Sequence, residues 1–139
     1  MKRSVSVAIH HPDDPGSVLQ VRRPPDDEGL PNAWGLPAAT LRAGEGWEDA
    51  ALRAGREKLG VELALAGELN AGTIVRSDAS LEMKLFEATI ARGEPDVSVA
   101  PAGVTRYTAW RWGRAEDLRP AAERGSLCCR LYLEAAGVG

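Results

Sequence analysis

Four ionisable side chains, Glu45, Arg53, Glu57 and Lys58, lie within one short stretch of this chain. Carboxylates gathered on a helix can ligate a hard divalent cation, which prefers oxygen donors and water. An arginine among them can orient them through its planar set of donors. Residues at i, i+3 and i+4 share a helical face. Glu57, within the predicted helix, is a candidate metal ligand. Arg22, Arg23, Lys58 and Arg106 are candidate phosphate contacts, because guanidinium offers phosphate a bidentate fork and ammonium a point charge.

Each of these residues also has a plainer reading. Asp49, Arg53 and Glu57 are spaced by four, the pattern of a charge ladder on an exposed helix, with each pair contributing a few tenths of a kcal/mol. Glu45 reads as a residue at the helix start that buttresses the preceding loop. Glu57 reads as an ion-pair partner of Arg53 or Lys58. Scattered basic residues are ordinarily solvated surface. Trp34, Tyr107, Trp110 and Trp112 could stack on a nucleobase, but strand packing is the default for such aromatics. His10 and His11 are adjacent on a strand and point opposite ways, so no metal site is expected from them.

The elements that must position these groups follow from pattern. Val5, Val7 and Ile9 alternate with Ser4, Ser6 and Ala8, a half-buried strand. Turn formers at 11–16 lead into a second strand at 18–21, giving a hairpin. Residues 24–32 form a loop, and residues 34–41 a short extended stretch broken by Pro37. Residues 45–59 turn helical, with Trp47, Ala50, Ala51, Ala54 and Leu59 near one face. Gly60 is placed to end that helix. Gly55 is awkward, since glycine inside a helix costs roughly 1 kcal/mol relative to alanine. Either something packs very close to it or a pocket opens beside it. One or two strands follow over 61–75, interrupted by Gly67 and Gly72. Another strand covers Leu81, Met83 and Leu85, and a loop spans 92–103. A late strand at 107–112, a short turn at 116–118 and a final helix at 121–136 complete the order.

With 139 residues, 44% hydrophobic and 27% charged, the chain suits one domain spanning residues 1–139, with an ordinary core. Its net charge of -3 provides no general attraction to nucleic acid or to an anionic membrane. The N-terminal stretch alternates like a strand and is not read as a signal peptide. Cys128 and Cys129 are adjacent, so buried unpaired thiols and a reducing cytoplasm are expected.

The segment AWGLPAATLRAGEGWEDAALRAGREKLGV, residues 33–61, resembles the signature of the Nudix hydrolases. That signature is Gly, five residues, Glu, seven residues, Arg-Glu, an aliphatic residue, any residue, Glu-Glu, any residue, Gly and an aliphatic residue. Here Ala39 precedes Glu45 by five intervening residues, and seven separate Glu45 from Arg53. Ala54, Gly55, Glu57, Lys58, Gly60 and Val61 occupy the positions after it. The lead-in at 18–23 and 30–37, and the late strand with Trp112 and residues 116–118, extend the likeness to residues 4–120. The resemblance implies an α/β fold with a mixed β-sheet sandwiched between helices. It also implies metal-assisted splitting of a diphosphate linked to another moiety, with Mg2+ as cofactor if the protein is active. Glu45, Arg53 and Glu57 match the motif's catalytic positions, with Arg53 in a supporting role. A homodimer is expected on the same ground.

The departures weaken the catalytic expectation. Ala54 and Lys58 replace motif glutamates, and Ala38-Ala39 stand where the family usually has Gly-Gly. Thr105 or Arg106 falls where many members place a further Glu. A lysine near a metal repels it, by roughly 4 kcal/mol per unit charge at about 4 Å and an effective dielectric near 20. The sequence therefore predicts a binder of a nucleoside diphosphate linked to another moiety, or of a similar compound, with weak or lost hydrolysis. Two alternatives stand beside it. One is a working pyrophosphohydrolase with relocated ligands among Glu48, Asp49, Glu57, Glu82 and Glu87. The other is a non-catalytic interaction or dimer module that uses loops 24–32 and 92–103. None of the three calls for nucleic acid or a membrane.

Overall fold

The N-terminal strand is buried on both faces. In the computed structural model, which describes residues 2–27, 29–75 and 77–138, Val5, Val7 and Ile9 are fully buried on one side of strand β1 (Lys2–His11), and Ser4, Ser6 and Ala8 are buried on the other. The half-buried strand expected from its alternation is thus corrected. Alternation normally marks a solvated face, but small Ser and Ala side chains also fit beneath a second layer. The Ser6 hydroxyl sits 3.5 Å from Met83 Sδ, so its polarity is not stranded.

β1 is central. It runs parallel to β6 (Ser80–Arg92), from Lys2 opposite Leu81 to Ile9 opposite Ala88. It also runs antiparallel to the short β4 (Ala38–Thr40). The long β5 (Glu62–Val75) flanks β6 antiparallel, with register shifts around Gly67. β2 (Asp14–Arg22) meets β1 only near the turn, at His10 opposite Val18 and His11 opposite Asp14. Beyond that point β2 pairs with β3 (Trp34–Gly35) and β7 (Ala109–Gly113). The result is a seven-stranded mixed sheet in the order β3-β2-β1-β6-β5, with β4 and β7 attached off this path. The anticipated hairpin exists, but its two strands soon take different partners.

Helix α1 (Trp47–Leu59) covers one face of the sheet, and α2 (Arg119–Glu123) with α3 (Leu127–Ala136) covers the other. This is the α/β sandwich inferred from the sequence. α1 starts after Gly46, so Glu45 lies in the loop rather than in the first turn. The expected single helix at 121–136 is two helices. Gly125 takes φ +101, a left-handed value that stops α2, and the Ser126 side chain then caps α3 by accepting from the Cys129 amide. Cys128 and Cys129 are buried and free.

The choice at Gly55 is settled by contact. A β-carbon there would lie 2.8 Å from Leu63 Cγ and Cδ1, and 3.2 Å from the Val61 carbonyl oxygen. The chain turns straight back after Gly60, which adopts φ +67 as the helix cap, so β5 passes directly against α1. Gly55→Ala is expected to lower stability, because overpacking of about 1–3 kcal/mol outweighs a helix-propensity gain of about 1 kcal/mol. Urea denaturation measures this, and a raised midpoint would contradict the close packing.

Candidate functional site

The loop before α1 is held by one guanidinium. Arg53 donates from Nε to Glu45 Oε2 at 2.9 Å and from a terminal nitrogen to Glu45 Oε1 at 3.0 Å. It also donates to the Thr40 carbonyl at 2.7 Å and to Glu57 Oε1 at 3.2 Å. Its side chain is only 12% exposed. The exposed ladder read from the spacing is therefore corrected. Arg53 does pair with Glu57, but it turns inward and ties the helix to strand and loop. Glu45 further accepts from the Arg42 amide at 3.0 Å. The hydrogen bond from Arg53, strengthened by the Arg42 amide and by both guanidinium charges, outweighs partial desolvation and lowers the Glu45 carboxyl to about 2.

Glu57 is similarly occupied. Besides Arg53, it accepts from Arg42 at 3.2 Å on Oε1 and 3.3 Å on Oε2. Arg42 was not singled out from the sequence. Its place three residues before Glu45, in a turn that returns toward α1, was the available signal. The third motif position, Ala54, is fully buried in the core cluster that also holds Ala39 and Tyr107, so it is not part of an open helical face.

Lys58 turns away from Glu57. Its ammonium donates to the carbonyl oxygen of Ala38 and sits 5.3 Å from the ring centroid of Tyr107. Tyr107 is buried, and its hydroxyl accepts from the Ala38 amide at 3.1 Å. β1, β4, β6 and the segment before β7 meet here around a cavity of about 210 Å³. Lys2, Ser4, Arg23, Lys58, Thr105 and Tyr107 contribute to its wall, with Ala38 to Thr40 as floor. An adjoining cleft of about 430 Å³ shares Thr105 and is bounded by Asp26, Asp27 and Arg106.

The structure thus brings Arg23 and Lys58 together. Arg23 also pairs with Asp27 at 3.3 Å. Burial opposes its charge, but the electrostatic pull of Cys128, Tyr107 and Asp27 prevails and strengthens its hold on the proton. Arg106 lines the neighbouring cleft and donates to the Ala100 carbonyl. Arg22 bonds the Asn32 carbonyl and lines neither space. Lys2 and Ser4 were missed, because two residues at a strand start carry no local mark of a cavity. Trp34 lies beneath Arg111 at 4.0 Å, and Trp110, Trp112 and His11 pack edge to face. Trp34 and Arg111 also line a cleft of about 400 Å³.

Magnesium does not fit this donor set. The oxygens of Glu45 and Glu57 are engaged by guanidinium and amide donors, and an ammonium takes the Ala38 carbonyl. Glu82 is paired with Arg3. Among the described residues no three His, Cys, Asp or Glu side chains converge on one point.

The sequence profile of the NUDIX domain matches residues 1–126, and the chain belongs to that family. No curated protein matches it in sequence. Among solved structures it resembles a Nudix hydrolase of Nitrosomonas europaea (TM-score 0.75, 16% identity, 99% of this chain and 89% of that one). It also resembles a MutT Nudix hydrolase of Burkholderia pseudomallei (0.68, 24%, 90% and 98%). A third likeness is to an Ap4A hydrolase of C. elegans (0.70, 14%, 99% and 98%). At these identities the structural likeness is one of fold.

Because the Glu45 pKa is lowered, its ion pair adds stability above its ordinary value near 4.5 and loses it as pH falls through about 2. Glu45→Gln is expected to cost about 2 kcal/mol at pH 7, the scale of a charged hydrogen bond. That difference should shrink steadily between pH 5 and pH 2 in denaturant titrations. A difference independent of pH would show that the carboxylate charge is not what matters.

Proposed function

We propose that this protein binds a nucleoside diphosphate linked to another moiety, or a similar diphosphate compound, and hydrolyses it weakly or not at all. One observation carries the reading. The two motif carboxylates that survive, Glu45 and Glu57, are neutralised by Arg53 and Arg42, while Lys58 turns its positive charge to the Ala38 carbonyl and the Tyr107 ring. Metal-assisted hydrolysis relies on a divalent ion to polarise phosphate and to lower the pKa of water. Here the charge that attracts such an ion is already cancelled within the protein. Binding asks less, since cations and backbone suffice to hold phosphate.

Family membership supports a phosphate-compound ligand, and one protein of like fold is an Ap4A hydrolase. The two buried free cysteines accord with a cytoplasmic setting. No helix among the described residues is long and apolar enough to cross a membrane. The homodimer remains part of this reading on family grounds alone.

The direct test is calorimetry against nucleotides and nucleotide sugars, with turnover measured on the same panel in magnesium and manganese. Binding without appreciable turnover is expected. Magnesium-dependent turnover that disappears in Glu57→Gln would overturn the reading. A complementary expectation concerns Ala54→Glu combined with Lys58→Glu. Burying a carboxylate at position 54 should lower the melting temperature without metal. Magnesium should then restore it, by about 2.7 kcal/mol at a hundredfold excess over Kd. Wild-type melting should not respond to magnesium. If the wild type responds equally, a metal site exists that the donor set does not reveal.

A further inference from the structure

We propose that Lys58 is a tethered cation that holds a diphosphate group directly, without a divalent ion, in the cavity it shares with Arg23 and Lys2. This rests on the diphosphate-binding reading and specifies how that site works. Among the described residues, the cavity wall carries three cationic side chains and no carboxylate. In a chain of net charge -3, such local segregation of positive charge focuses an attractive potential for an anion.

Each cation has donors to spare. An ammonium has three N–H donors. That of Lys58 gives one to the Ala38 carbonyl and rests near the Tyr107 ring, which fixes its position and leaves the others for a ligand. A guanidinium has five. Arg23 gives one to Asp27, which orients the fork, and its side chain is only 30% exposed. Partial burial strengthens a charge-assisted bond to an anion relative to the same bond in water. Lys2 stands at the open edge of the cavity. Ser4 lies on the same face of β1, opposite Thr40 of β4, and hydroxyls of both kinds can donate to phosphate oxygens.

A cavity of about 210 Å³ has room for a diphosphate group. The rest of the molecule has an exit past Thr105 into the cleft bounded by Asp26, Asp27 and Arg106. Carboxylates there accept from hydroxyls and disfavour additional phosphate. The cavity therefore suits a diphosphate that carries a hydroxyl-rich moiety.

The probe is inorganic pyrophosphate, titrated calorimetrically into the full chain in EDTA and in magnesium. Wild-type binding should be present in EDTA and no stronger in magnesium, which competes with the protein's cations for pyrophosphate. Lys58→Gln should weaken binding in EDTA by about tenfold to a hundredfold, the worth of one charged hydrogen bond. Lys58→Arg should retain most of the affinity. Lys2→Gln, at an exposed site that leaves folding intact, should lose about two- to fivefold, the scale of an exposed ion pair. It keeps the proposal testable if Lys58→Gln does not fold. The proposal is overturned by pyrophosphate binding that requires magnesium, by Lys58→Gln binding as wild type, or by no binding at all. Magnesium-requiring binding of nucleotide sugars would refute the tethered cation while leaving diphosphate recognition standing. Metal-free pyrophosphate binding with no nucleotide compound bound would do the reverse.

Discussion

The Arg53 guanidinium is the contact on which the site depends. It sits largely out of water, between the loop carboxylate of Glu45, the Thr40 carbonyl of β4 and Glu57 one turn further along α1. A buried cation survives only when its donors are matched by acceptors. Three elements are therefore drawn to one point. That constraint sets how the loop enters α1 and where β4 lies against the helix. It also spends the negative charge of both acids on a partner inside the protein.

What remains is a site whose polarity is reversed from that of a metal centre. With Glu45 and Glu57 held by Arg53 and Arg42, Lys58 makes no ion pair among the described residues. Its ammonium goes instead to a strand carbonyl and to the face of Tyr107. Around it the cavity collects Arg23 and Lys2 from distant parts of the chain. A positive cavity binds phosphate by direct hydrogen bonds. A metal centre must first gather enough oxygen to hold the ion. The same fold can present either, because function resides in the site and not in the scaffold.

The fold is tuned to this arrangement by small residues. Ala50, Ala51, Ala54 and Gly55 let α1 lie close on the sheet, and Leu63 fills the space that a side chain at 55 would need. Gly60 and Gly125 end helices with positive φ. Close approach places the Lys58 side chain within reach of Ala38.

Much of this was legible in the linear chain. The 3.6-residue pattern of α1, the alternation of β1 and the order of elements are local properties, and local properties determine which elements form and which family they belong to. The loss of acids at 54 and 58 is likewise a matter of identity and spacing. The partners were not legible. Arg42 reaching Glu57, Lys58 choosing a carbonyl over an adjacent acid, and Lys2 meeting Arg23 across a cavity all join residues far apart in sequence. Burial of the Ser4 and Ser6 face, and the break at Gly125 that splits the last helix, needed the second layer and the cap to be seen in place. Composition and periodicity specify what each segment can be. Only packing in three dimensions decides which charges meet, because the free energy of an ion pair depends on distance and on the water excluded around it.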